Sequence, residues 1–237
     1  MDERYSRQIL INQIGEAGQK KLSRSSVFVV GAGGLGSPVL TYLTVMGIGH
    51  LAFIDSDIAA ESNLNRQFLH HTEDIGRKKT ISALEKLNKL NNKIDIKAHN
   101  ERLTDKNAQA FFNGYDIVIG AVDSFETRFV INKACVSLDI PYFDGGINGF
   151  SGIIMFSHPP NTPCLNCVFP KKKKTNEPVG VFGATAGVIG TILANCSALW
   201  LLGVPNPVEN RLIMYDGLNM KIDHIDIKRD ENCEVCR

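Results

Sequence analysis

A glycine-rich loop with the sequence GAGGLG, at residues 31–36, separates a run of β-branched and aromatic residues from an apolar helical stretch. Gly31, Gly33 and Gly36 fit the spacing G-x-G-x-x-G, in which residues without a Cβ atom permit a sharp turn and a close backbone approach to phosphate. The first amides of the following helix add partial positive charge. The loop therefore predicts a strand–turn–helix unit that binds a nucleotide; a tight turn without a ligand is the alternative.

Strand and helix patterns alternate from residue 27 to residue 144. Short apolar runs predict buried strands at residues 27–30, 50–55, 115–122 and 141–144. Apolar stretches between them predict helices at residues 37–46, 78–91 and 126–138. The second of these helices carries Ile81, Leu84, Leu87 and Leu90 on one stripe. The alternation predicts an α/β fold with a doubly wound, Rossmann-like, mostly parallel sheet.

The pattern changes in the second part of the chain. Apolar runs predict further strands at residues 150–157, 211–215 and 221–227, and the segment DGLN at residues 216–219 is typical of a hairpin turn. Strands joined by short turns extend a sheet in antiparallel fashion. We therefore expect the same sheet to continue, and a single domain to span residues 1–237.

Residues 178–208 contain no charged side chain and are long enough to include a membrane-spanning helix. Several glycines interrupt the apolar run, however, and no basic cluster follows it. We therefore expect a helix that is buried on all sides within the protein or at a dimer interface, and no membrane span.

The balance of charges excludes several classes of partner. Lys+Arg number 26 and Asp+Glu 25, and a formal net charge of +1 provides no field that would attract nucleic acid or an anionic membrane. The segment MDERYSRQIL at the start lacks the apolar stretch of a secretory signal, so the expected location is the cytoplasm. In that reducing compartment the six cysteines indicate metal or redox chemistry instead of disulfides.

Four of the cysteines form two Cys-x-x-Cys pairs, Cys164 with Cys167 and Cys233 with Cys236. One tight turn supplies two thiolates in such a pair, and zinc takes four thiolates in a tetrahedron. The pairs therefore predict a closed, structural Zn²⁺ site that ties the last residues to an earlier loop; two separate redox motifs are the alternative. The two remaining cysteines are expected to be buried in helices, Cys135 and Cys196.

Charged and amide side chains after the glycine loop distinguish between nucleotides. Asp55 ends the second predicted strand, where a carboxylate accepts hydrogen bonds from ribose hydroxyls. Asp57 and the segments SNLNRQF and GRKK follow, with more cationic and amide groups than a dinucleotide needs. A triphosphate with Mg²⁺ uses such groups to neutralise its charge. Asp123 lies just beyond the fourth predicted strand, at the same edge of the sheet, where its carboxylate is placed to hold Mg²⁺. A solvated surface charge is the alternative for each basic residue alone.

These motifs together resemble those of the MoeB/ThiF/HesA family, whose members are similar to the adenylation domain of ubiquitin-activating enzymes. The resemblance covers essentially the whole chain and is carried by RYSRQI, GAGGLGS, D-x-D with SNLNRQF, GRKK, AVDSFETR, the two Cys-x-x-Cys pairs and GVIG. It implies ATP-dependent adenylation of the C-terminal Gly-Gly of a ubiquitin-fold sulfur-carrier protein, for thiamine thiazole or molybdopterin synthesis. It also implies a homodimer with structural zinc.

The resemblance further implies roles for individual residues. Asp55 would hold the ribose and Asp123 would position Mg²⁺, while Arg7 would reach into the partner subunit's site as an arginine finger. The residues expected to act in catalysis are Arg7, Arg66, Lys79 and Asp123. The residues expected to bind the nucleotide are Gly31, Gly33, Gly34, Gly36, Asp55, Asp57, Asn63, Arg66, Gln67, Lys79 and Asp123.

One position departs from the pattern of the family. Many members carry a cysteine in the loop before the glycine-rich helix, and Asn176 stands there in this chain. We therefore expect no covalent carrier intermediate; the acyl-adenylate passes to a separate sulfur donor or to another nucleophile such as an amine. The four lysines at residues 171–174 form either a solvated loop or a docking site for an acidic partner.

Three other functions stay open on the sequence. The first is adenylation of a different carboxylate or of a tRNA base, in peptide or tRNA modification. The second is an NAD-binding oxidoreductase, disfavoured because no hydride-acceptor site is visible and the basic residues exceed its needs. The third is a zinc-binding interaction module without catalytic activity.

Overall fold

The computed structural model of the chain describes residues 3–169 and 179–237. The lysines at residues 171–174 and Asn176 lie outside the described residues, so the expectations attached to them stay predictions.

Eight strands form one mixed sheet within the described ranges, in the order β3-β2-β1-β4-β5-β6-β7-β8. The first five strands along the chain run parallel to one another, and β6 to β8 continue the sheet from β5 in antiparallel pairs. The predicted α/β fold with an antiparallel extension is therefore confirmed. The strands are β1 (Ser26–Val30), β2 (His50–Ile54), β3 (Asp95–His99), β4 (Ile117–Gly120), β5 (Tyr142–Asn148), β6 (Ser151–Ser157), β7 (Arg211–Asp216) and β8 (Lys221–Asp226).

Helices cover both faces of the parallel part of the sheet. Because side chains alternate along a strand, Val27 and Val29 of β1 pack on one face, and Phe28 and Val30 pack on the other. The third, fourth and eighth helices supply apolar residues to the first face, and the fifth and sixth supply them to the second. The helices are α1 (Ser6–Ile9), α2 (Gly15–Leu22), α3 (Gly36–Met46), α4 (Lys79–Leu90), α5 (Ala108–Phe112), α6 (Phe125–Leu138), α7 (Leu165–Val168) and α8 (Gly183–Leu202).

The long apolar segment forms α8, which packs against α3, β5 and β6. Among the described residues it is the one helix long and apolar enough to cross a membrane, and 56% of its most apolar window is buried inside the protein. Close packing depends on Gly190, where a Cβ atom would lie 2.3 Å from Cγ of Pro38 on α3. The helix therefore packs one part of its surface into the core of the fold, and burial on all sides or at a dimer interface stays a prediction.

Two elements in the first half of the chain, α4 and β3, differ from what the sequence predicts. The predicted apolar stripe of α4 is rotated, since Ile81 and Leu90 are 46% and 38% exposed while Ala83 and Leu87 are fully buried. Strand β3 is absent from the predicted elements because its residues alternate between apolar and charged types and lack the continuous apolar run of a buried strand.

The strand order places a topological switch point beside β1. Both β2 and β4 pair with β1, and the helices that follow β1 and β4 lie on opposite faces of the sheet. The connections at the carboxyl ends of β1 and β4 therefore diverge and leave a crevice, which is where ligands bind in open α/β sheets.

Candidate functional site

Two glycines of the loop between β1 and α3 are required by the fold itself. Gly31 has φ +100, and a Cβ atom there would lie 2.5 Å from the carbonyl oxygen of Ala121 after β4. A Cβ on Gly36 would lie 2.1 Å from the carbonyl oxygen of Gly31. Both contacts involve backbone, which cannot give way as a flexible side chain does. The tight turn therefore exists only with glycine at these positions.

The middle of the same loop carries free backbone donors. Within the described residues, the amides of Gly33, Gly34 and Leu35 donate to no protein oxygen. They come directly before α3, whose amino-terminal end carries partial positive charge. A Cβ atom on Gly33 or Gly34 would meet its nearest neighbour at an ordinary 3.5 Å, so the fold does not exclude side chains there. Three adjacent donors at a helix start form an anion-binding cradle.

Asp55 fastens this loop to the end of β2. Its Oδ2 accepts a hydrogen bond from the amide of Ala32 at 2.8 Å, and its Oδ1 accepts one from the amide of Asp57, also at 2.8 Å. The carboxylate is half-buried at the crevice. Since each carboxylate oxygen has a second lone pair, Asp55 retains capacity to accept bonds from a ligand hydroxyl.

Lys79, the first residue of α4, supplies a fixed cation near the loop. Its side chain is only 6% exposed, and its Nζ lies 2.9 Å from Oδ2 of Asp57, whose side chain is 66% exposed. The amide of Lys79 also donates to the carbonyl of Asp57 at 3.0 Å. The structure therefore shows Asp57 as the partner of Lys79.

The segment from residue 63 to residue 67 covers the glycine loop. A Cβ on Gly34 would lie 3.5 Å from Cγ of Arg66, and the guanidinium of Arg66 donates to the carbonyl of Ser62 at 2.8 Å. Asn63 accepts a bond from the amide of Ala60 at 3.1 Å, which shapes the turn. The segment therefore holds the Arg66 stem beside the loop.

Gln67 is the most buried side chain of this segment. It lies over the glycine loop, with Nε2 3.5 Å from the place of a Cβ on Gly33. Its Oε1 is buried and has no partner in the part of the chain that the structure describes. A buried amide oxygen without a donor is costly, so this position suits a bound group that donates a hydrogen bond.

Asp123 lies on the same crevice, in the connection from β4 to α6. It is exposed, and it follows Ala121, whose backbone contacts Gly31. In the described ranges it takes part in no ion pair. The predicted Asp55, Lys79, Arg66, Gln67 and Asp123 are thus all brought to the carboxyl edge of the sheet.

Arg7 is not brought to this crevice within one chain. It is exposed on α1, which packs at the far end of α3: Gln8 donates to the carbonyl of Met46 at 3.0 Å, and Tyr5 lies against Gly47. Helix α3 has 11 residues, a length of about 16 Å. The glycine loop and Arg7 therefore lie at opposite ends of that helix.

A buried ion pair on β5 and α6 was not anticipated from the sequence. Arg128 binds both carboxylate oxygens of Asp144, and the hydroxyl of Tyr142 donates to Oδ1 of Asp144 at 2.5 Å. Burial raises the pKa of Tyr142 well above its ordinary value, so its hydroxyl stays a donor. The guanidinium also lies 4.3 Å from the ring centroid of Phe125. Each buried charge here is fully compensated.

The two Cys-x-x-Cys pairs meet in space, as predicted. The four Sγ atoms lie within 4.8 Å of one another, and Cys164 is 3.8 Å from Cys167 and 3.6 Å from Cys233, with Cys167 3.5 Å from Cys236. These separations are far longer than a disulfide bond of about 2.05 Å. They match the roughly 3.8 Å edge of a tetrahedron with Zn–S bonds of about 2.3 Å. The thiol set therefore fits a closed zinc site.

A side chain that the sequence did not single out positions the first pair. Asn132 on α6 is fully buried, and its Oδ1 accepts a bond from the amide of Leu165 at 2.9 Å, while its Nδ2 donates to Asn166 at 3.0 Å. These contacts fix the turn that presents Cys164 and Cys167. The other two cysteines, Cys135 and Cys196, are buried as predicted, and burial raises the pKa of the Cys196 thiol to about 11.

Comparison with known proteins places this geometry in a family. The model of the ThiF family matches residues 5–235. The chain is 38% identical to the sulfur carrier protein adenylyltransferase of Thermus thermophilus, covering 99% of this chain and 90% of that protein. It is 34% identical to the SAMP-activating enzyme E1 of Haloferax volcanii, covering 99% and 88%. It is 38% identical to the adenylyltransferase and sulfurtransferase MOCS3 of Aedes aegypti, but spans only 55% of that longer protein.

Solved structures give a consistent result. A crystal structure of E. coli MccB with ATP superimposes with a TM-score of 0.88 at 25% identity, covering 99% of this chain and 75% of that chain. A structure of MccB with MccA gives a TM-score of 0.89 at 25% identity, with 100% and 74% covered.

Proposed function

The chain belongs to the ThiF family, and from this premise we propose that it transfers AMP from ATP to the C-terminal Gly-Gly carboxylate of a ubiquitin-fold sulfur-carrier protein. The adenylyltransferase names of relatives that match nearly the whole chain support this activity. The observation that carries the proposal is the cradle of three unpaired amides beside a buried lysine and two carboxylates. Such a site suits a triphosphate better than a neutral ligand.

The chain's own residues divide the work of binding ATP. The amides of Gly33 and Gly34 receive phosphate oxygens, and the free lone pairs of Asp55 accept the ribose hydroxyls. Lys79, Arg66 and the side-chain Nδ2 group of Asn63 neutralise and orient the phosphates, and the Nε2 group of Gln67 is a further donor beside them. Positioning and charge neutralisation of this kind lower the barrier to phosphoryl and nucleotidyl transfer without covalent participation of a side chain.

The reaction joins the carrier tail to AMP. A carboxylate oxygen of the terminal glycine attacks the α-phosphorus and forms a new P–O bond. The bond between the α-phosphorus and the bridging oxygen to the β-phosphate breaks, and pyrophosphate leaves with that electron pair. The product is an acyl-adenylate, and no proton or redox partner is needed because the nucleophile is already ionised.

Magnesium fits one position of the crevice. Asp123 presents an exposed carboxylate next to the glycine loop and is free of ion pairs within the described residues, as a ligand for a hard cation requires. A bound Mg²⁺ would neutralise charge on the phosphates and on the leaving pyrophosphate. Asp123 is accordingly the residue assigned to hold the metal.

The position of Arg7 supports a shared site in a homodimer. An exposed arginine about 16 Å away along α3 cannot reach phosphates in its own crevice, so a catalytic role requires a partner subunit. Mixing Arg7→Ala with Asp123→Ala subunits should restore activity, since each mixed dimer then contains one intact site. Confirmed mixed dimers without activity would exclude this role for Arg7.

The decisive assay is ATP–pyrophosphate exchange in the presence of a ubiquitin-fold carrier ending in Gly-Gly. We expect Asp123→Ala to abolish exchange while leaving the melting temperature unchanged. Asp95→Ala serves as control, because it removes the same carboxylate at the amino end of β3, on the opposite edge of the sheet. Exchange with free peptides or tRNA, and none with carriers, would refute the assigned substrate class.

We assign the acyl-adenylate to a separate sulfur donor or to another external nucleophile. The family position that often carries a loop cysteine is Asn176 here, so the chain lacks that thiol for a covalent intermediate. The longer MOCS3 relatives are named as sulfurtransferases as well, and this chain spans about half their length. We place the single domain of residues 1–237 in the cytoplasm, in thiamine or molybdopterin synthesis.

A further inference from the structure

His70 is a buried imidazole that contacts the glycine loop and has no part in the chemistry described above. It is 2% exposed; its Nε2 lies 2.9 Å from the carbonyl oxygen of Ala32, and its Nδ1 lies 2.9 Å from Oγ of Ser82. A carbonyl oxygen only accepts hydrogen bonds, so Nε2 must carry the hydrogen. His70 therefore anchors the loop from below through the Ala32 carbonyl.

That anchor determines the direction of the next amide. A peptide unit is planar and trans, so the carbonyl of Ala32 and the N–H of Gly33 point to opposite sides. With the carbonyl held by His70, the N–H of Gly33 faces away from the imidazole, and it has no protein acceptor among the described residues. Glycine-rich backbone reorients easily, and a reversed peptide would present a carbonyl oxygen to the phosphate.

Hydrogen bonds continue behind His70 through Ser82 and Lys86 to Asp74. Lys86 donates to Oγ of Ser82 at 2.9 Å, so the Ser82 hydrogen is free for another acceptor. Asp74 receives bonds from Arg77, Lys86 and a backbone amide, and the Ser82 hydroxyl is within hydrogen-bond reach of its carboxylate as well. Because Nε2 carries its hydrogen toward the Ala32 carbonyl, Nδ1 of the neutral ring is an acceptor, and the Ser82 hydroxyl is the donor that faces it.

The surroundings also keep the ring neutral. Burial lowers the pKa of His70, and the charges of Lys79 and Lys86 lower it further; these effects outweigh the bond to Ala32 and the carboxylate of Asp74. A neutral ring with a defined tautomer gives the loop one fixed donor.

We propose that His70 is a positioning residue of the nucleotide site, which holds the Ala32 carbonyl out of the crevice so that the Gly33 amide faces a phosphate of ATP. The inference rests on the proposed function only in its use of ATP. It assigns to the chain Asp74–Lys86–Ser82–His70 the task of presetting the loop before the nucleotide binds.

Two substitutions distinguish the role of Nε2 from that of Nδ1. The side-chain amide of His70→Gln reaches the place of Nε2 and can donate to Ala32, whereas that of His70→Asn reaches only the place of Nδ1, next to Ser82. The dissociation constant of Mg·ATP is measured by calorimetry on the full chain, together with the melting temperature and with kcat and KM for pyrophosphate exchange.

We expect His70→Gln to keep ATP affinity within roughly threefold of the unaltered chain, and His70→Asn to lose roughly tenfold or more, mainly in KM. Wild-type affinity in His70→Asn would overturn the proposal. Equal losses in both variants, matching equal drops in melting temperature, would reduce His70 to a packing role. Failure of the unaltered chain to bind ATP would refute both the proposed function and this inference. ATP binding without carrier-dependent pyrophosphate exchange would refute only the proposed function.

A second readout needs no substitution. In the unaltered chain with ¹⁵N-labelled histidine, two-bond correlations should show the hydrogen of neutral His70 on Nε2, with and without ATP. A neutral ring with its hydrogen on Nδ1 could not donate to Ala32 and would overturn the proposal.

Discussion

Gly33 and Gly36 share one motif, yet the structure separates the reasons for which each is glycine. A Cβ on Gly36 would lie 2.1 Å from the carbonyl oxygen of Gly31, whereas a Cβ on Gly33 would lie 3.5 Å from Nε2 of Gln67. Neither residue has a φ in the left-handed region. We therefore predict that Gly36→Ala damages the fold and that Gly33→Ala damages nucleotide binding.

The magnitudes follow from these distances. A carbon–oxygen contact needs about 3.3 Å, so alanine at residue 36 must move backbone by roughly 1 Å, comparable to overpacking at a cost of about 2–3 kcal/mol. Alanine at residue 33 meets only ordinary contact and removes freedom from the unfolded chain. Its free energy of unfolding should stay within about 1 kcal/mol of the unaltered value. ATP affinity should fall about tenfold, or ~1.4 kcal/mol, because the added methyl hinders the close approach of phosphate to backbone.

Urea denaturation and calorimetric titration with Mg·ATP measure the two effects on the same samples. Gly34→Ala is a second test, since a Cβ there would also meet its neighbours at 3.5 Å and its amide belongs to the same cradle; it should fold normally and lose ATP affinity as Gly33→Ala does. The reasoning is refuted if Gly33→Ala binds ATP as tightly as the unaltered chain, because phosphate then does not approach the backbone there. It is equally refuted if Gly36→Ala is as stable as Gly33→Ala.

Three further predictions concern stability. Verified removal of zinc should lower the melting temperature sharply, because metal binding is linked to the free energy of folding, and an unchanged melt would exclude a stabilising clamp. Arg128→Met should cost roughly 3–5 kcal/mol by leaving Asp144 buried and unpaired, and adding Asp144→Asn should recover part of this loss in a urea double-mutant cycle. The lowered pKa of His70 means that the unfolded chain binds more protons below the ordinary value of 6.5, so stability should fall as pH drops through that range. When the free energy of unfolding is plotted against pH, the slope for the unaltered chain should exceed that for His70→Gln by up to about 1.4 kcal/mol per pH unit. Equal slopes for the two chains would contradict a buried neutral ring.

The nucleotide-binding half of the fold could be predicted because its signals are local. Strand, glycine loop and helix follow one another at residues 26–46, and the left-handed Gly47 ends α3 as its position in the sequence suggests. The thiol cluster was equally accessible, since four cysteines in two pairs restrict which turns must meet. Strand β3 and the rotated face of α4 were not accessible in this way. The pairing of β3 and the face that α4 buries both depend on which neighbour each element packs against. On the buried face of α4, for example, Ser82 contacts His70.

The supporting residues of the site escaped prediction for the same reason. His70 contacts Ala32 across 38 positions of sequence, and Asn132 contacts Leu165 across 33. A histidine after a run of apolar and amide residues, or an asparagine inside an apolar helix, has no local feature that marks its task. Only the folded chain shows that one anchors the glycine loop and the other anchors the turn that carries Cys164 and Cys167.

The ion pair between Lys79 and Asp57 joins a buried cation to an exposed carboxylate at the crevice. A buried ammonium without a partner would lose several kcal/mol of solvation, and Asp57 supplies that partner in the free protein. The two partners differ in their exposure to water: the Lys79 side chain is 6% exposed and the Asp57 side chain is 66% exposed. The Asp57 carboxylate is already largely in water, so its release from the pair costs little solvation. A phosphate oxygen can therefore replace Asp57 while Lys79 stays in place, and the released carboxylate lies beside the phosphates, where a cation that accompanies ATP would meet it.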